Sequence, residues 1–196
     1  MSLLTVILDY QHFGKPGKND KGAFANGKHE TDLTWKYIEA AKAELKSKGH
    51  RVVVLKSGYY GTRHRRAIAL AGNNPERMHA YIACHVNAGG GDYSVCLYDH
   101  RSKNGIELAD DVRTELGKAF PQIRRHLTKP ASPVAWTNGF NTIKGVFAGP
   151  SNLSGVCFEP AFIDNLKHQS CLTPDGLERM GRALAAGCIA WSNDHG

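Results

Sequence analysis

The chain has 196 residues, 41% of them hydrophobic and 22% charged, with a formal net charge of +7. That length and balance suit a single folded domain with its own core, and they exclude a disordered chain or a small disulfide scaffold. No apolar run is long enough to span a bilayer, and the positive balance favours a polyanionic partner without selecting one.

In chain order, residues 3–9 are apolar and rich in β-branched side chains, which predicts a buried first strand. The segment lacks a basic n-region and a small-residue cleavage site, so the expectation is a core strand rather than a signal peptide, and a product made in the cytoplasm. Residues 14–28, heavy in Gly and Lys, predict a loop that brings His12 near Glu30. From Thr31 the positions Leu33, Tyr37, Ala41 and Leu45 recur at helical spacing, with Gly49 as the stop, and residues 51–55 return as a strand. A strand, helix, strand order implies a parallel crossover.

Residues 63–71 predict a shorter helix, ended by Gly72, Asn73, Asn74 and Pro75. Residues 80–84 predict a third strand that delivers His85, and residues 93–98 a fourth. Ser102 is placed to cap a helix with Ala109, Val112, Leu116 and Ala119 on its apolar face, closed by Pro121. Residues 128–153, rich in Pro, Gly, Asn and Thr, predict at most short strands. Residues 155–158 predict a late strand, and Thr173-Pro174 opens a last helix with Leu177, Met180, Leu184, Cys188 and Trp191 on one stripe. Alternating strands and helices define the expected fold class: an α/β single domain over residues 1–196, with a mostly parallel or mixed central sheet flanked by helices. No second module is expected.

Four islands carry the chemistry. His12 follows the first strand, Glu30 stands at the head of the first long helix, His85 follows the third strand, and Glu159 ends the late strand. Ligands of such sheets bind outside the carboxyl ends of the strands. Two imidazoles and one carboxylate form a catalytic zinc set that leaves a fourth tetrahedral position open, and a spare Glu is what metal-assisted hydrolysis requires. Any one of these residues read alone is more ordinary: a surface or core His, or a Glu favoured by the helix dipole. His29, His79 and His100 are the alternative ligands, with His29 the nearest substitute.

The islands also carry a family pattern. They read Val6-Ile7-Leu8-Asp9-Tyr10-Gln11-His12-Phe13-Gly14, Glu30-Thr31-Asp32-Leu33, Ile82-Ala83-Cys84-His85-Val86-Asn87-Ala88 and Glu159-Pro160-Ala161-Phe162-Ile163-Asp164-Asn165. In this order the chain resembles the zinc-dependent N-acetylmuramoyl-L-alanine amidases, which cut the amide between glycan and stem peptide of peptidoglycan. The resemblance implies Zn²⁺ held by His12, Glu30 and His85, with Glu159 catalytic. Asn87 is a candidate to orient a ligand or substrate carbonyl, or is a turn residue before Ala88. The first island departs from the family's usual Pro-Gly-His-Gly, with Tyr10, Gln11 and Phe13 around His12.

The implied partners are peptidoglycan as substrate and the anionic cell-envelope polymers, with no membrane anchor. A nucleic-acid partner is not expected, because charge alone supports one and no recognition motif is present. A phage-type endolysin that acts on the cell wall after release is the leading role. A zinc peptidase cutting within the stem peptide and a non-catalytic wall-binding module are the alternatives. Trp136, Phe140 and Phe147 either line a substrate groove or pack their loop. Arg63, His64, Arg65 and Arg66 read as a solvated helix face, with attraction of anionic wall material or nucleic acid as the alternative. Cys84, Cys157 and Cys188 read as buried small hydrophobes in a reduced compartment, and the odd count of five, with Cys96 and Cys171, disfavours a disulfide scaffold.

Overall fold

The apolar run near the amino terminus forms β1 (Thr5–Tyr10), buried along its whole length. A computed structural model describes residues 4–131 and 141–195 of the chain. A small antiparallel hairpin, β2 (Phe24–Ala25) and β3 (Lys28–His29), leads into α1 (Glu30–Ser47). Then come β4 (Arg51–Leu55), α2 (Tyr60–Gly72), β5 (His79–Cys84) and β6 (Ser94–Asp99). The chain continues through α3 (Lys103–Ala119), β7 (His126–Ala131), α4 (Asn141–Phe147) and β8 (Leu153–Glu159). A 3-10 turn (Leu166–Leu172) precedes α5 (Pro174–Asp194).

Among the described residues six strands make one sheet, in the order β4-β1-β5-β8-β6-β7. All neighbours run parallel except β6 and β8, so the sheet is mostly parallel with one antiparallel joint. The expected α/β architecture is observed. Helices α1, α3 and α5 cover one face, and α2 and α4 the other.

The helices follow their local signals. Leu33, Tyr37, Ala41 and Leu45 of α1 are all buried, as are Leu177, Met180, Leu184, Cys188 and Trp191 of α5. Each buried Leu or Met among them stabilises the fold by about 1.5–3 kcal/mol relative to exposure. Ser102 and Thr173 accept from the backbone N–H of Gly105 and Gly176, capping α3 and α5 as predicted. Helices α1 and α5 approach so closely that a Cβ at Gly181 would lie 2.4 Å from Tyr37 O.

Four expectations need correction, the first being the loop over residues 14–28, part of which the β2–β3 hairpin replaces. Helix α4 lies inside residues 128–153, where only short strands were expected. Its sequence has weak helix propensity, and burial of Thr142, Ile143 and Val146 under the sheet supplies what propensity does not. Helix α2 begins at Tyr60 rather than at residue 63. Arg63 is no solvated residue: it is wholly buried, while Arg65 and Arg66 are exposed as expected. The cause is Asp9, whose buried carboxylate pairs with Arg63 Nη1 at 2.7 Å.

Trp136 and Phe140 lie outside the described residues. Phe147 sits under the Arg101 guanidinium, 4.2 Å from its ring centroid, in a hollow shared with Leu153 at the start of β8. That is the opposite end of the strand from Glu159, so Phe147, the last residue of α4, does not line the cleft that holds Glu159. Cys84, Cys157 and Cys188 are buried as their patterns predict, Cys96 and Cys171 are buried as well, and all five are unpaired.

Candidate metal centre and active site

Strand register builds the site. Tyr10 of β1 pairs with Cys84 of β5, which pairs with Phe158 of β8. Residues just beyond these three therefore leave the sheet side by side, at the carboxyl ends of parallel strands. His12, Glu30, His85 and Glu159 line one cleft of about 470 Å³, together with Gln11, Asn87 and others.

His12, Glu30 and His85 each offer a ligand atom, all within 4.8 Å of one another. His12 Nε2 lies 3.5 Å from Glu30 Oε2, and His85 Nδ1 lies 2.9 Å from Glu30 Oε1. The two imidazole rings meet edge to face at 5.2 Å between centroids. Backbone N–H groups of Ala23 and Val86 donate to the two oxygens of Glu30 and fix the carboxylate. At Gly22 a Cβ would fall 2.4 Å from Glu30 Oε2, so only Gly permits this approach. Tyr37 OH donates to His85 O at 2.9 Å and anchors the end of β5.

The electrostatics follow from this crowding. Burial works against ionised Glu30, but the His85 hydrogen bond and the His85 and His12 charges outweigh it and hold the carboxyl below its ordinary range. Burial likewise opposes charge on His85, yet Glu30 and the Glu159 charge raise it. Glu159 differs. Burial pushes its carboxyl up to about 7, against the pull of His85 and with the help of Glu30. One of its oxygens, Oε2, is buried with no hydrogen-bond partner among the described residues.

Behind His12 stands a layer that the sequence reading missed. Asp20 Oδ1 lies 3.1 Å from His12 Nδ1, turning Nε2 toward Glu30, and Asp20 is itself held by Lys15 and the Gly22 N–H. Burial opposes these contacts, but together they hold the Asp20 carboxyl well below the usual carboxylate range. His12 itself adopts a left-handed backbone, φ 64°. Arg63 clamps that turn by donating to the carbonyls of Tyr10, Phe13 and Gly58 as well as to Asp9. Tyr81 OH and Gln11 Nε2 also donate to Asp9.

Asn87 reaches the cleft, and its Oδ1 accepts from the Ala88 N–H at 2.8 Å, a turn contact. The alternative ligands lie elsewhere. His29 is the residue before α1 and packs its ring at a tilt against Phe24, His79 starts β5 at the far end of the sheet, and His100 lies beside Asp99. Tyr60, Asn141 and Thr142 also line the cleft. Their contribution depends on the starts of α2 and α4, which periodicity did not show.

Paired imidazoles and a carboxylate, with a buried acid in the same cleft at the strand ends of an α/β sheet, define a hydrolase. The chain belongs to the N-acetylmuramoyl-L-alanine amidase family, whose model matches residues 6–190, and it is an enzyme of that class acting on peptidoglycan. Its fold is shared with the amidase AmiC2 of Nostoc punctiforme at TM-score 0.74 and 18% identity, over 97% of each chain. The CwlD amidase of Clostridioides difficile, in complex with the GerS lipoprotein, gives 0.74 and 18% over 97% of this chain and 98% of that one. The catalytic domain of the CD27L endolysin targeting Clostridia difficile gives 0.70 and 16%, over 96% and 97%. No curated protein sequence matches.

Proposed function

We propose that the chain is a zinc-dependent N-acetylmuramoyl-L-alanine amidase in which His12, Glu30 and His85 hold Zn²⁺ and Glu159 moves the proton. The observation that carries this reading is the convergence of three donors of suitable chemistry within 4.8 Å, in the cleft that Glu159 also lines. Three ligands leave one tetrahedral position open, and Asp20 behind His12 supplies the outer support that ligating imidazoles need. When bound, the ion supplies positive charge that polarises the amide carbonyl and lowers the pKa of water from ~15.7 toward ~7.

Glu159 takes the proton of the attacking water and returns it to the departing alanine nitrogen, without which the amine leaves poorly. Asn87 orients the substrate carbonyl through its side-chain amide, its oxygen being held by Ala88. Residues 1–196 act as one catalytic domain in this scheme.

Digestion of purified peptidoglycan, read by mass spectrometry, tests the reaction alongside elemental analysis of the protein. The expected result is new free alanine amino groups on stem peptides with intact glycan, and about one zinc per chain that His85→Ala lacks. Cuts inside the stem peptide would make the enzyme a peptidase. Binding to peptidoglycan with neither zinc nor hydrolysis would make it a wall-binding module.

The biological role is read as that of an endolysin, acting on the wall after release from the cytoplasm. One fold relative is the catalytic domain of such an enzyme. The charge of +7 suits the anionic cell-envelope polymers around its substrate. Among the described residues no helix is long and apolar enough to cross a membrane. Expression inside a bacterium is expected to be tolerated until the inner membrane is permeabilised, as optical density would show. Spontaneous lysis during expression would defeat this role.

A further inference from the structure

Cys157 has no part in this scheme, yet it touches the site. It lies two positions before Glu159 on β8, so both side chains leave the same face of the sheet. Its Sγ is 4.0 Å from Glu159 Oε1. His85, Cys157 and Glu159 each present a ligand atom, all within 4.8 Å of one another. Independently, Glu159 Oε2 is buried without a hydrogen-bond partner among the described residues, on a residue only 8% exposed that lines the cleft. A buried carboxylate oxygen without a donor is costly, and a cation satisfies it.

We propose that His85, Cys157 and Glu159 form a second, inhibitory position for a thiophilic divalent cation, next to the His12, Glu30 and His85 set. The geometry needs little change. Bond lengths of about 2.3 Å to sulfur and 2.0–2.2 Å to oxygen, at tetrahedral angles, separate the two donors by roughly 3.6 Å. The observed 4.0 Å closes to that by a small side-chain rotation. A thiolate beside an imidazole selects zinc in excess, or cadmium, over magnesium, calcium and manganese. Binding forms a sulfur–metal bond as the thiol proton leaves to solvent, with no change of oxidation state. His85 is common to both sets, so an ion seated here draws on the same imidazole and also occupies the Glu159 carboxylate. The metal position stands apart from the amidase reading, whereas the inhibition rests on it.

The test adds cadmium to protein carrying one equivalent of zinc, for the parent, Cys157→Ala and Cys157→Val. The ultraviolet thiolate-to-cadmium band and the rate of hydrolysis are read together, each rate relative to the same protein without cadmium. Melting temperatures establish that at least one variant is folded. The parent is expected to gain the band and lose activity. Both variants are expected to lack the band and to need roughly 100-fold more cadmium for the same fractional loss, since even outer contacts of a metal site carry about 10–100-fold in affinity. Cys84, Cys96, Cys171 and Cys188, all buried, serve as internal controls. A band that persists in the folded variants, or is absent from the parent, overturns the site. A band lost with inhibition unchanged overturns the link to Glu159. If the parent shows the band but no preparation hydrolyses peptidoglycan, the amidase reading fails and the metal position stands.

Discussion

Glu159→Gln is expected to lower peptidoglycan turnover by roughly 100-fold or more, the usual cost of a lost general base, with zinc content and melting temperature near those of the parent. Gln keeps the volume at the end of β8 but accepts no proton. The side chain is buried, one oxygen has no hydrogen-bond partner among the described residues and the other accepts from the Cys157 thiol at 4.0 Å, so the substitution removes little structural contact. Were Glu159 only a strand terminus before Pro160, stability would change and turnover would stay. Zinc content, melting temperature and turnover measured side by side separate these outcomes, and near-parental turnover would sink the mechanism.

Arg63→Met is expected to be among the most destabilising single changes in the molecule. It leaves Asp9 buried without its counter-ion, and removing one member of a buried pair costs about 3–5 kcal/mol. For a domain of this size that corresponds to a fall of roughly 6–20 °C in melting temperature. Burial already pushes the Asp9 carboxyl above its ordinary value, with Arg63 the largest opposing influence. Asp9→Asn combined with Arg63→Met should therefore recover part of the loss, since no buried charge is left alone. Zinc affinity should not recover with it. The carbonyls of Tyr10 and Phe13, which Arg63 holds on either side of His12, lack their donor in both variants. Loss of such outer support costs about 10–100-fold in metal affinity. A melting temperature within about 2 °C of the parent for Arg63→Met would refute the clamp.

Much of this molecule was legible in the residues. By itself the sequence determined β1, α1 and α5, because continuous apolar runs and helical stripes act over short range and packing rewarded them all. It also placed His12, Glu30, His85 and Glu159 at element ends, where an α/β sheet gathers its ligands. A further local signal is Asn26-Gly27, both at positive φ, which form the turn between β2 and β3. That hairpin replaces part of the expected loop between His12 and Glu30.

Only the tertiary structure decided the rest. Arg63 and Arg65 are alike in sequence, and Asp9, 54 positions away, buries one while the other stays in solvent. Asp20 reads as an ordinary loop acid until the turn at His12 brings the imidazole against it. Helix α4 forms because the sheet offers Ile143 and Val146 somewhere to bury. Glu30 meets His85 across 55 positions, and Cys157 joins His85 and Glu159 through the register of β5 on β8. Such contacts depend on strand order and register, which arise from many distant pairings at once, so no local pattern of residues announces them.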